Sequence, residues 1–229
     1  MKHRAARLGA ASLAIGLTFG LTSGLAGCAP NSTYGQYWQA MKQAFASGFG
    51  NGSVDRATAA KIPYASIGYR IGGGRQQILV LATDTGEQLL WTAASHVVLV
   101  TREGRIVRSV GLPHNIAALN PARGENPPPL KAALQQPYQT KWFADFPDSG
   151  AYGIAFTCVT ASRGPAPVTI LGTAIATVRV DENCREAGGR GSFTNSYWID
   201  PQSGLTWRSI QQLDPAGEPI ETELFRPPG

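Results

Sequence analysis

Hydrophobic positions follow three different periods along this chain. Between positions 8 and 21 nearly every residue is apolar, with Gly and Thr admitted and no charge. Between positions 34 and 49 the apolar residues fall three or four apart, at Tyr34, Tyr37, Trp38, Met41, Phe45 and Phe49. That spacing predicts an amphipathic helix of about four turns, capped by Asn31-Ser32-Thr33 and stopped by the glycines at 48, 50 and 52. Its polar face carries Lys42 as its cation, which favours packing against the domain body over lying on a membrane surface. From Tyr64 onward the period is two.

Period-two runs rich in β-branched and aromatic residues predict strands over 64–71, 76–82, 97–101, 105–110, 152–160, 168–180, 192–200 and 205–213, with a short one over 220–225. Arg102-Glu103-Gly104 sits between two such runs and reads as a hairpin turn. Asp200-Pro201-Gln202-Ser203-Gly204 reads as another, with Pro and Gly where turn geometry favours them. The stretch 120–137 holds prolines at 121, 127, 128, 129 and 137 and is expected to be an extended, exposed loop. No strand alternates with a long helix, which argues against a parallel doubly wound sheet. The expected fold is all-β, an antiparallel β-barrel or sandwich with one N-terminal amphipathic helix.

The apolar run at the start has the setting of an export signal. Lys2, Arg4 and Arg7 precede it without any acid. It ends in Leu25-Ala26-Gly27-Cys28, which looks like a bacterial lipobox. In proteins with that motif the cysteine receives a diacylglycerol and the peptide is cut just before it. A retained membrane span and an ordinary signal peptide with an incidental cysteine are the competing readings; the basic start and apolar run ahead of the box favour acylation of Cys28. Ala29 stands where an aspartate would, in enteric-type bacteria, signal retention in the inner membrane. The expectation is therefore a leader over 1–27 and a single lipid-anchored β-rich domain over 28–229, on the periplasmic face of the outer membrane.

Processing changes the charge. Removing 27 residues from 229 leaves 202, enough for one sizeable core. Three of the 20 Lys and Arg lie in the leader, so 17 face 15 acids and the net charge falls from +5 to +2. No Lys/Arg run of the kind that tracks phosphates is present, so nucleic acid is not an expected partner. With Cys28 acylated, Cys158 and Cys184 remain, and in an oxidising compartment they are expected to pair with each other. Two buried free thiols are the alternative. A metal site is poorer still, since no CxxC spacing occurs and only His96 and His114 survive processing.

Candidate chemistry is sparse. Gly72-Gly73-Gly74-Arg75 lacks the phosphate-loop pattern and reads as a strand-connecting turn. His96, at the opening of a strand, and His114, in a turn-rich segment, read as surface or structural residues. There is no GxSxG, and no cofactor is implied. Asp145 and Asp148, flanked by the aromatics Trp142, Phe143 and Phe146, are the best candidates for a glycoside-cleaving carboxylate pair, and aromatics beside carboxylates also suit carbohydrate binding, where a flat ring covers a sugar face. Trp198 and Trp207 join them as candidate glycan or partner contacts. The plain alternative is a core aromatic cluster with solvent-facing acids.

The segments Ile67-Gly68-Tyr69-Arg70-Ile71-Gly72-Gly73-Gly74-Arg75-Gln76-Gln77-Ile78-Leu79-Val80-Leu81-Ala82, Trp91, and 98–113, VLVTREGRIVRSVGLP, resemble the YjbF/GfcB lipoproteins. Tyr197-Trp198-Ile199-Asp200 with Gly204-Leu205 extends the likeness. That family is associated with exopolysaccharide and group 4 capsule production. The resemblance implies an all-β, outer-membrane-tethered protein and brings no catalytic residues with it. It implies a non-enzymatic accessory factor in exopolysaccharide or capsule assembly or export, with polysaccharide or export proteins as partners. A periplasmic hydrolase that trims glycan is the alternative.

Overall fold

The computed structural model describes residues 52–189, 191–214 and 217–229. The leader, Cys28 and the helix expected from Tyr34 lie outside the described residues. The chain runs through a short helix α1 (Arg56–Ala60) and then β1 (Ser66–Ile71), β2 (Gln77–Asp84), β3 (Leu89–Thr92), β4 (Val98–Arg102), β5 (Arg105–Val110) and β6 (Ala118–Pro121). It continues through β7 (Tyr138–Phe146), β8 (Ala151–Pro165), β9 (Val168–Ile170), β10 (Thr173–Ile175), β11 (Val178–Glu186), β12 (Ser192–Ile199), β13 (Thr206–Gln211) and β14 (Ile220–Arg226).

Twelve strands form one antiparallel sheet in the order β5-β4-β3-β2-β1-β14-β13-β12-β11-β8-β7-β6; β9 and β10 form a separate hairpin. The two ends of the sheet nearly meet. Ser109 N–H on β5 donates to Ile116 O just ahead of β6 at 2.8 Å. Ile116 N–H returns to Ser109 Oγ at 3.0 Å, and Arg108 Nε donates to Ala117 O at 3.0 Å. The result is a nearly closed barrel, which leaves little open strand edge for another chain to pair with. Among the described residues no helix is long and apolar enough to cross a membrane.

Alternation places the core. Along β7, Thr140, Trp142, Ala144 and Phe146 turn inward while Gln139, Lys141 and Phe143 face out. This nine-residue strand and the four-residue β3 were not among the expected strands. The inner cluster includes Leu79, Trp91, Leu99, Ile106, Trp142 and Phe156. β2 is buried on both faces, which is why it reads as a continuous apolar run. Leu79 points inward, while Ile78 and Val80 pack outside against Val54, Ala59 and Ile62 of the α1 segment. Asp55 caps α1 by accepting Thr58 N–H at 2.6 Å. Gly68 is required beneath this layer: a Cβ there would lie 2.3 Å from the Phe225 ring.

Two expectations are corrected. The run 168–180 is not one strand. Leu171 and Gly172 both take positive φ, 48° and 76°, the geometry of a two-residue hairpin turn. β9–β10 then folds back onto α1, where Arg56 Nε donates to Leu171 O at 2.9 Å. The proline-rich stretch 120–137 is not uniformly exposed either. It starts at the end of β6 and contains a 3-10 turn, Leu130–Leu134, whose Leu130 and Ala133 bury against Val180, Tyr197 and Ile199.

Cys158 on β8 lies directly opposite Cys184 on β11, inside the barrel, and the two form a disulfide with S–S 2.04 Å. The bridge closes a loop with a sequence separation of 26. On the chain-entropy model that is worth about 3.5 kcal/mol. Reduction, or the double substitution Cys158→Ser/Cys184→Ser, is expected to lower unfolding stability by a few kcal/mol at most. Urea titration with and without reductant measures it, and non-reducing peptide mapping reports the link itself.

Candidate functional site

Period-two alternation on β11 puts Val180, Glu182 and Cys184 on one face, and that face is the interior. Glu182 is therefore carried inside, where it meets Arg105, the first residue of β5. Both are buried, 2% and 3% exposed. Arg105 Nε donates to Glu182 Oε1 at 3.1 Å. Asn195 Nδ2 and Tyr197 OH donate to Glu182 Oε2 at 3.2 and 3.3 Å. The guanidinium also donates to Tyr138 OH at 3.1 Å and lies 5.5 Å from the Trp142 ring centre and 5.8 Å from that of Tyr197. Gln211 completes the set: its Oε1 accepts Ile106 N–H at 2.9 Å and its Nε2 donates to Gly104 O at 2.8 Å.

Burial alone would weaken the charge on Arg105, but the Glu182 carboxylate, with Tyr197 and Tyr138, outweighs it and pushes the guanidinium pKa up further. Burial and the Glu182 charge hold the Tyr197 hydroxyl well above its ordinary range. Both groups therefore stay protonated and donate. They brace β5 against β11 and β12. A cavity of about 30 Å³ beside Trp142, Glu182 and Asn195 is too small for a sugar.

Above this polar core the barrel opens. A cavity of about 670 Å³ lies where the β2–β3, β4–β5 and β12–β13 turns, the 3-10 turn and the tail at Pro227-Pro228 converge. Its floor is apolar, with Ile67, Leu89, Trp91, Leu205 and Leu224; its rim carries Asp84, Glu87, Glu103 and Lys131. Turn chemistry shapes that rim. Glu103 and Gly104 both have positive φ, 50° and 83°, and a Cβ on Gly104 would fall 2.3 Å from Thr206 Oγ1. Asp200 accepts Gln202 N–H at 2.9 Å and the Ser203 hydroxyl at 2.6 Å, which holds the β12–β13 turn. Lys131 Nζ donates to Gln202 O. The mouth is tied to the interior through Gly104 O, bonded to Gln211, and Pro129 O, bonded to Tyr138 OH at 3.4 Å.

The sequence-predicted contact residues do not converge. Trp142, 3% exposed, is an interior residue and offers no surface to a polymer. Asp145 Oδ1 accepts Gly153 N–H at 2.7 Å across the β7–β8 turn. Asp148 Oδ2 accepts Asn115 N–H at 2.6 Å and so ties that turn to the β5–β6 connection. Trp207 packs half-buried against the inner core. Trp198 lies half-buried on the outer face, with the Arg179 and Arg208 guanidinium carbons 5.5 and 4.9 Å from its ring centre. His96 does not open a strand; it is exposed in the turn before β4 with φ 64°. His114 Nδ1 lies 3.6 Å from Asp214. Among the described residues no cluster of His, Cys, Asp or Glu could hold a metal ion.

On the outer face Asp181 accepts from Arg163 at 3.0 Å, Arg179 at 2.7 Å and Ser196 at 2.9 Å. Glu221 pairs with Arg208 at 2.6 Å and with Arg70 at 3.1 Å. Burial opposes ionisation of Asp181, but the hydrogen bonds from Arg179, Ser196 and Arg163 outweigh it and hold its pKa below the ordinary carboxylate value.

The fold and its mouth define a nearly closed antiparallel barrel with a braced polar interior. A family model described as group 4 capsule polysaccharide lipoprotein GfcB, YjbF, matches residues 39–225, and the chain belongs to that family. The uncharacterized lipoprotein GfcB of Escherichia coli (strain K12) is 25% identical over 169 residues, covering 72% of this chain and 78% of that protein. The crystal structure of the hypothetical lipoprotein YmcC from Escherichia coli (K12) superposes with a TM-score of 0.69 at 20% identity, covering 88% of this chain and all of that one. That likeness establishes the shared fold.

Two outcomes follow for stability. Glu182→Leu strands the Arg105 charge and is expected to cost about 3–5 kcal/mol in urea unfolding, while Arg105→Met/Glu182→Leu together costs less than the single change. Asp181 contributes stability that is fully present above its unfolded pKa and lost as pH falls through its depressed folded pKa. Asp181→Asn should therefore flatten the acid limb of the stability–pH curve.

Proposed function

We propose that this protein is an outer-membrane lipoprotein that serves capsule or exopolysaccharide assembly and export by binding rather than by catalysis. The observation that carries this reading is the family match over residues 39–225. In it, residues 1–27 are removed, Cys28 carries the diacylglycerol, and the barrel faces the periplasm with polysaccharide or export proteins as partners. The geometry supports it. The interior charges are committed to one another and brace strands, and the mouth is a concave surface with an apolar floor at the end of a rigid scaffold. Both described histidines are exposed outside the strands, His114 beside Asp214.

One observation favours a second reading, cleavage of glycan. Asp84, Glu87 and Glu103 all line the mouth, and a pair of carboxylates is the usual machinery of glycoside hydrolysis. Purified protein incubated with the host's capsular polymer separates the two. The binding reading expects no new reducing ends, and polymer cleavage that Glu103→Gln abolishes would replace it.

In cells, deletion of the gene is expected to lower surface polysaccharide. His96→Ala/His114→Ala should restore it as well as wild type, and Cys28→Ser should leave a protein without lipid label and fail to restore it. Normal polysaccharide in the deletion strain would remove the accessory reading.

A further inference from the structure

The outer face of β7, β8, β11 and β12 differs in its charge from the facet beside it. Antiparallel register sets its outward residues in rows. Lys141 stands opposite Thr157, Thr157 opposite Arg185, and Arg185 opposite Ser192. In the next row, Gln139 faces Val159, Val159 faces Asn183, and Asn183 faces Thr194. Phe143, 42% exposed, borders the first row, and Val159 is exposed to the same degree. Between β8, β11 and β12 the surface is hollowed by a cavity of about 530 Å³.

The charge of this face is one-sided. On the neighbouring facet every arginine is matched: Arg163 and Arg179 by Asp181, Arg208 and Arg70 by Glu221. Here the two rows together contain two cations, both in the first, and no carboxylate, and among the described residues neither the Lys141 nor the Arg185 side chain makes an ion pair. Glu125 borders the face at the edge of β7, where its carboxylate is engaged by Lys141 backbone N–H at 2.9 Å. Lys141 and Arg185 are two strand spacings apart, roughly 10 Å. Hydroxyls and amides fill the space between and beside them.

We propose that this face binds an acidic polysaccharide chain, with Arg185 and Lys141 each engaging a sugar carboxylate. A guanidinium takes a carboxylate through paired N–H donors. Thr157, Ser192, Thr194 and Asn183 supply the mixed donors and acceptors that sugar hydroxyls need. Phe143 and Val159 offer apolar surface to the C–H faces of the rings. The strands hold these side chains in fixed register, so the chain meets a preformed track. This inference rests on the accessory reading above and adds the class of polymer and the surface that holds it.

The test uses the full-length lipoprotein in non-ionic detergent with polygalacturonate as the acidic probe and dextran as the neutral one, in affinity electrophoresis. Polygalacturonate is expected to retard the protein and dextran is not. Lys141→Gln/Arg185→Gln should weaken retardation at least tenfold with unchanged thermal unfolding. Lys61→Gln/Arg75→Gln, a charge-matched pair of exposed residues in the α1 segment and the β1–β2 turn, should leave it nearly unaltered. Equal loss in the two double variants would reduce the effect to net charge and overturn the proposal. So would equal retardation by both polymers, or stronger capture by lipopolysaccharide micelles than by polygalacturonate. Full surface polysaccharide in cells carrying a variant that no longer binds polymer would overturn the role of this face while leaving the accessory reading standing.

Discussion

The buried contact between Arg105 and Glu182 is the constraint on which the rest of the barrel rests. It joins the first residue of β5, one end of the twelve-strand order, to the middle of β11 near the other. An apolar pair could fill the same space at equal or lower free energy, so the contact matters for direction more than for depth of stability. A guanidinium and a carboxylate that are both desolvated tolerate few arrangements, and here each is also held by a ring of donors and aromatic faces. That ring includes Tyr138, Asn195 and Tyr197 from β7 and β12, and Gln211 of β13 backs it, its Oε1 3.3 Å from Tyr197 OH. Curling of the sheet toward closure and formation of the polar core are thus one event.

The same strands that carry this core present different chemistry on their outer sides, because period-two alternation separates neighbouring residues by the thickness of the sheet. On β11, Val180, Glu182 and Cys184 are interior, while Arg179, Asp181, Asn183 and Arg185 are exterior. The exterior half of that list is divided again along the strand: Arg179 and Asp181 belong to a neutralised ladder, and Asn183 and Arg185 to the uncompensated face. The mouth, by contrast, is built by turns. Its shape depends on Gly104 and on the Asp200-centred loop, and it meets the interior through the backbone carbonyls of Gly104 and Pro129 and through the floor side chains Ile67, Trp91 and Leu224.

Much of this was legible in the sequence, for physical reasons that differ by element. The strand 105–110 and its turn at Glu103-Gly104 were readable because alternation and turn residues agree there. The disulfide was readable because, on the expectation that Cys28 is acylated, two thiols are left to pair with each other. Trp142 was drawn toward a surface role by the acids beside it, yet the alternation of Thr140, Trp142, Ala144 and Phe146 already marks it as interior. The 168–180 run conceals its break because Leu171 is an unusual residue at positive φ, held there by packing against α1 and not by local preference. Glu182 would have been found by the same alternation that places Val180 and Cys184. Its partner could not, since Arg105 is 77 residues away and only the closed sheet brings them together.

Native-state hydrogen exchange at β5 tests most directly whether the ion pair closes the barrel. Ile106 N–H is bonded to Gln211 Oε1 and Ser109 N–H to Ile116 O, so both report on the strand that the pair pins. If the barrel is held shut from within, these amides exchange only through global unfolding, with protection equal to that of the central strands β8 and β11. Exchange of Ile106 and Ser109 at the rate of a fraying sheet edge, with β8 and β11 still protected, would contradict it.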